Sequence, residues 1–168
     1  RIYVQRPLYD AFVERFADRT RALKLGNGLD AGVDIGPLMH ERAVAKAAEH
    51  VADAKGRGAR LMTGGTAGRP GPLHFAPTVL ADVPDDALIM REETFAPVAA
   101  ITPFDTEDEV IARANDSEYG LVAYVVTRDA ALAARLSAAL EYGMVAVNRV
   151  KITGCLLYTS DAADDSLR

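Results

Sequence analysis

Cysteine is almost missing from this chain: its one copy, Cys155, stands at the head of the last fourteen residues. With Cys155 set aside, disulfides, zinc knuckles and a thiol nucleophile are excluded for the residues that precede it. A basic block is missing too. The formal net charge is −5, of which Cys155–Arg168 supplies −2 through three Asp and one Arg, leaving a mildly acidic body with no sign of nucleic-acid binding. No apolar run approaches the roughly 18 residues of a membrane span. Residues 1–25 lack the pattern of a signal peptide, so no membrane partner is expected and the cytoplasm is the expected location. His40, His50 and His74 have no ligand spacing among them, and no metal site is expected. Internal repeats and low-complexity tracts are absent from the body.

The hydrophobic share of 49% is enough to build a core, and the length is that of one domain. Both ends read as interrupted. Arg1 is not an initiator Met. Cys155 to Asp165, Cys-Leu-Leu-Tyr-Thr-Ser-Asp-Ala-Ala-Asp-Asp, resembles the conceptual translation of a transposase-type adapter used in sequencing libraries; the alternative is a native acidic tail. On the adapter reading, residues 155–168 are a non-native tail and the body is residues 1–154.

Arg1-Ile2-Tyr3-Val4-Gln5 reads as a short strand, ended by Pro7 in the first turn of a helix. Leu8, Phe12, Phe16 and Leu23 keep close to a helical period, and Gly26-Asn27-Gly28 stops that helix. A second helix spans about Glu41 to Lys55, with Val44, Ala47, Ala48, Val51 and Ala54 on one face, followed by a strand over 59–63. Gly64 to Pro72 is a surface loop, without the spacing of a phosphate cradle. His74 to Leu80 is extended and expected at a sheet edge, because Pro77 removes a donor. Val98 to Phe104 is a strand, Thr106 to Glu109 has capping-box spacing, and Leu121 to Thr127 reads as a strand buried on both faces. Asp129 caps a helix over 130–140, and Met144 to Val147 is the final strand. Strands alternating with helices of this length predict an α/β domain with a largely parallel sheet and flanking helices.

Periodicity gives no chemistry. The segment Arg91-Glu92-Glu93-Thr94-Phe95-Ala96-Pro97-Val98, taken alone, is compatible with a solvated turn leading into a strand. It is accompanied in order by Ile35-Gly36-Pro37-Leu38, Phe75-Ala76-Pro77-Thr78-Val79-Leu80, Asn115 with Tyr119-Gly120-Leu121, and Gly143-Met144-Val145-Ala146-Val147-Asn148. Together these resemble the C-terminal part of the catalytic domain of the NAD(P)-dependent aldehyde dehydrogenases, across Arg1 to Gly154. Glu141 to Gly154 is similar to the approach to the substrate-mouth loop in the succinate-semialdehyde dehydrogenases of that family, although related semialdehyde dehydrogenases share much of it.

The resemblance implies an oxidoreductase that takes a small-molecule aldehyde, succinate semialdehyde first, to the acid with NAD or NADP as cofactor. A cysteine thiolate attacks the carbonyl, donors steady the oxyanion, and a Glu-activated water releases the product. It places that nucleophile just upstream of Arg1 and the general base further upstream, so no catalytic residue is expected here and the fragment alone is expected to be inactive. What remains is part of the cofactor grip: Glu93 would bind the nicotinamide ribose hydroxyls and Phe95 would pack beside the ring. Glu92 reads as a solvated or salt-bridged neighbour. Ala96 stands where the family usually has Gly, a costly change only if φ there is positive. Thr153 would contact the distal carboxylate of the substrate, with a plain loop threonine as the alternative, and Arg149 and Lys151 could attract an anionic substrate. A homo-oligomer is expected of the full-length protein. The competing readings are another aldehyde specificity on the same scaffold and a non-catalytic relative of the fold.

Overall fold

A computed structural model describes residues 1–149, which form two compact units, one from Arg1 to Val110 and one from Ile111 onward. In the first unit the chain runs β1 (Ile2–Gln5), α1 (Arg6–Arg21), α2 (Glu41–Gly56), β2 (Arg60–Thr63), β3 (Thr78–Ala81), α3 (Leu88–Arg91) and β4 (Val98–Phe104). Helix α4 (Glu107–Asn115) carries the chain into the second unit, which holds β5 (Val122–Val125), α5 (Ala130–Ala139) and β6 (Met144–Val147). The first unit's sheet has the order β1-β4-β3-β2; β1 and β3 run parallel to β4, and β2 is antiparallel to β3. This is the α/β class with a largely parallel sheet that the alternation of strands and helices predicts.

Side-chain alternation along β3 and β4 divides the core in two. Leu80 and Ala100 point to one face, where they meet Ala47, Val51 and Ala54 of α2 and Ile89 and Met90 around α3. Val79, Ala81 and Ile101 point to the other, against Tyr9 and Val13 of α1. A parallel sheet covered on both faces needs such continuous apolar strands, and all four residues of β3 are buried. The first of these clusters is rich in the smallest apolar side chain: Ala47, Ala54, Ala59, Ala87 and Ala100 all belong to it. Where β3 begins, Gly64 has φ +78°, and a Cβ there would collide with the Pro77 carbonyl oxygen, so only glycine lets the loop lie against the strand.

Three expectations are corrected. The buried face of α1 is Tyr9, Val13, Ala17 and Thr20, while Leu8 is 62% exposed. The stripe one residue along is the one that faces the sheet; of the expected residues Phe16 packs against the edge of that core and stacks on Phe12 at 5.7 Å. The strand after Pro77 is not at an edge. Pairing starts at Thr78, beyond the proline, so no ladder donor is lost and β3 sits between β4 and β2. Finally, β5 is not buried on both faces, since Leu121 is 67% and Val126 81% exposed. It pairs in parallel with β6 in a sheet of two strands, which leaves its apolar residues partly uncovered.

The helix ends follow the sequence. The Glu109 amide donates to Thr106 Oγ1 at 3.2 Å, and the Glu109 carboxylate accepts from the Asp105 amide at 2.8 Å, so α4 is capped in the expected place. Asp129 Oδ1 accepts from the Ala131 and Leu132 amides at 2.8 and 3.1 Å to start α5. In the second unit Asn115 receives the Glu141 amide and donates to the Ala139 carbonyl, and Asn148 brackets Thr127 in the same way from both of its backbone groups.

Tyr9 ties α1 to the sheet: its hydroxyl donates to the Ile101 carbonyl at 3.2 Å and accepts from the Asp82 amide at 2.6 Å. Burial, aided by the neighbouring Asp82 carboxylate, pushes the phenol up to about 12 from its usual value near 10. A raised phenol favours the folded state below pH ~10 and loses that contribution as pH rises through ~12, because the unfolded chain ionises first. Tyr9→Phe should therefore cost about 1–2 kcal/mol at pH 8, by leaving the Asp82 amide unpaired. Urea unfolding of both forms should show the gap closing by pH 11; a gap independent of pH would refute the assignment.

Candidate functional site

The site is built on one stripe of α2. Lys46, His50, Asp53 and Arg57 succeed one another at helical spacings of four, three and four, so they share a face. At the start of α3, Asp53 Oδ2 accepts from the Leu88 amide at 2.8 Å, and Arg57 bridges Asp53 at 2.8 Å and Asp86 at 2.6 Å. Arg57, with the Leu88 amide second, holds the Asp53 carboxyl below the usual carboxylate range. At the other end α3 stops because Glu92 is extended, with φ −114° and ψ 145°. The Glu92 carboxylate lies 3.1 Å from Lys46 Nζ and 3.5 Å from His50 Nε2, so of the two readings of this residue it is the salt-bridged one. Lys46 above all, then His50, lowers its pKa. Next along, Thr94 Oγ1 is 2.8 Å from His50 Nδ1.

The segment after α3 thus alternates. Glu92, itself half exposed, and Thr94 reach side chains of α2, while Glu93 and Phe95 are exposed and bond to none of them. Glu93 has no ion pair among the described residues. Phe95 is 81% exposed and has φ +46°, a left-handed conformation that is a genuine outlier for a bulky side chain. Such outliers persist where the surroundings over-determine them, and they gather at ligand clamps. Ala96 is not among the positive-φ residues, so the methyl in place of the family's glycine meets no backbone penalty. The turn then rejoins the sheet, the Pro97 carbonyl accepting from the Thr78 amide at 2.8 Å as β4 begins beside β3.

The chain's similarities agree with this architecture. The family model for the aldehyde dehydrogenases matches residues 1–156. The chain belongs to the aldehyde dehydrogenase family. It is 54% identical over 154 residues to a non-phosphorylating aspartate-semialdehyde dehydrogenase of Halomonas elongata, and 49% identical over 148 residues to an NADP(+) succinate-semialdehyde dehydrogenase of Escherichia coli. These alignments take in 92% and 88% of the chain but 31% of each relative, so the chain spans about a third of the length of the aldehyde dehydrogenases it matches. A solved succinate-semialdehyde dehydrogenase from Burkholderia pseudomallei superposes with a TM-score of 0.89 at 44% identity, over 91% of this chain and 32% of that one.

Glu93 and Phe95 stand together on one exposed tip. Thr153, Lys151 and the segment 155–168 lie outside the described residues; Arg149 is exposed. No cysteine occurs among the described residues, and no group of three His, Cys, Asp or Glu among them is placed to hold a metal. No described helix is long and apolar enough to cross a membrane. The residues that sequence reasoning missed are Lys46, His50 and Asp53. One signal was available: His50 falls within the apolar run of Ala47, Val51 and Ala54, where a buried polar group needs partners.

The strain at Phe95 is measurable. Asn tolerates the left-handed region better than Phe, and an 81% exposed ring loses little packing when removed. Phe95→Asn should raise stability by about 0.5–1 kcal/mol in urea unfolding of the complete protein. A clear loss of stability would mean that the ring is packed rather than presented.

Proposed function

We propose that the complete protein carrying this chain is a nicotinamide-dependent aldehyde dehydrogenase whose substrate bears a distal anionic group, with succinate semialdehyde, oxidised to succinate, as the leading candidate. The observation that carries this reading is the Glu93–Phe95 tip, a carboxylate with no ion pair among the described residues and a strained aromatic ring two residues apart, both exposed.

The tip fits a nicotinamide riboside. A free carboxylate accepts two hydroxyl donors at once, as a ribose diol requires. An exposed ring in a fixed conformation offers a flat apolar wall against which a heteroaromatic group packs at small entropic cost. When bound, the nicotinamide supplies a two-electron hydride acceptor, as NAD or NADP. The chain's own contribution is orientation: Glu93 fixes the ribose, and Phe95 limits where the ring can lie.

Both relatives compared above are named for aldehydes with a carboxylate at the far end, which supports an anionic aldehyde as the substrate class. Aspartate semialdehyde is the second reading, favoured by the 54% identity to the Halomonas protein. Thr153 is assigned to the distal carboxylate of the substrate, and residues 1–154 to the catalytic domain.

In the complete protein, Glu93→Gln should weaken dinucleotide binding by about tenfold or more, since it removes a charge-assisted pair of hydrogen bonds. Equilibrium fluorescence titration checks this, and an unchanged Kd would remove Glu93 from the cofactor site. Thr153→Ala should raise the apparent KM for succinate semialdehyde and leave that for an unsubstituted aliphatic aldehyde alone. Equal KM values for wild type and variant would withdraw Thr153.

A further inference from the structure

We propose that His50 is a positioning residue for the cofactor side of the site: one buried imidazole grips Glu92 and Thr94, and thereby fixes the directions of Glu93 and Phe95. The proposal rests on the cofactor reading of that tip.

His50 is 1% exposed, enclosed by α2 and by the segment that follows α3, and both of its nitrogens face that segment. Nε2 lies 3.5 Å from Glu92 Oε2 and Nδ1 lies 2.8 Å from Thr94 Oγ1. A carboxylate only accepts, so the proton on Nε2 points to Glu92. In the neutral ring Nδ1 then accepts from the Thr94 hydroxyl. The two groups held are two residues apart, one on each side of Glu93, and Glu92 itself is extended, with φ −114° and ψ 145°. With Glu92 and Thr94 held by α2, Glu93 between them and Phe95 directly after them are left exposed with their backbone fixed on the near side.

The rest of the stripe is less specific. Among the described residues Lys46 pairs with Glu92 alone, and Asp53 holds the far end of α3 at Leu88. Neither reaches Thr94, whose neighbour Phe95 carries the strained backbone. That strain needs an anchor on each side, and the Thr94–His50 bond supplies the one before it. On the other side, the Ala96 carbonyl accepts from Val98 at 2.7 Å and the Pro97 carbonyl from Thr78 at 2.8 Å. Releasing Thr94 would leave the tip anchored at one end and free to relax toward ordinary φ.

The test uses Thr94→Val, which keeps shape and removes the hydroxyl, with His50→Leu and His50→Asn, all in the complete protein. Asn places a polar atom close to Nδ1, so His50→Asn should largely retain function. Thr94→Val and His50→Leu should each raise the dinucleotide Kd about tenfold, with kcat at saturating dinucleotide changed much less. The double variant should be no worse than the weaker-binding single one, because both break the same bond. A merely structural role would lower the yield of active protein, leave Kd unchanged in the folded fraction, and give no rescue by Asn. If His50→Leu does not fold, Thr94→Val decides alone: folded protein with Kd within twofold of wild type overturns the proposal. Glu93→Gln, run in parallel, separates the two failures. Weaker binding there, with Thr94→Val unaffected, sinks the positioning role only. No effect in either sinks the cofactor reading and this proposal together.

Discussion

The attachment of α3 and the turn after it to one polar stripe of α2 is the constraint on which the site depends. Helix α3 has four residues, too short to hold its own shape, and its ends are held from outside. Asp53 takes the first amide, and Lys46 with His50 takes Glu92 past the last turn. The exposed ion pairs in this set contribute little individually. Their value is in direction: a rigid helix offers contacts in a fixed order, and the segment laid along it has one way to lie. The outward tip at Glu93 and Phe95 is what that arrangement leaves over.

The apolar faces and caps of the fold were largely legible in the amino-acid order. Thr106, Asp129, Pro7 and the apolar face of α2 each declare a local rule, and local rules survive in the structure. What was not legible depended on neighbours. The choice between the Leu8–Phe12 stripe and the Tyr9–Val13 stripe on α1 turned on a hydrogen-bonding partner for Tyr9 found 92 residues away at Ile101. The position of β3 within the sheet turned on which strands flank it, and the exposure of β5 on how few do. For the site, the sequence pointed to Glu93 and Phe95 through family resemblance, whereas their physical support was hidden. His50 and Thr94 are 44 positions apart, and nothing in either local pattern joins them.

Several residues that carry the family resemblance serve architecture. Asn115 and Asn148 each satisfy two backbone groups of a neighbouring segment. Gly120 and Gly143 lie where the backbones of two loops meet, the Gly143 amide donating to the Gly120 carbonyl at 2.7 Å. A recurring pattern of polar residues and glycines identifies a fold as readily as a reaction, whereas the segment from Glu92 to Phe95 combines exposure, charge and a strained aromatic residue.

The alanines between α2 and the sheet have a consequence at a distance. Ala47 and Ala54 of α2 and Ala100 of β4 meet in one cluster, so the volume between helix and sheet is set by single methyl groups. A valine in place of one of them would lift the helix bodily. The imidazole and the ammonium on its polar side would rise with it. Side-chain volume under α2 is thus a tuning variable for the tip, acting through the helix that carries His50 and Lys46 and without any contact with a ligand.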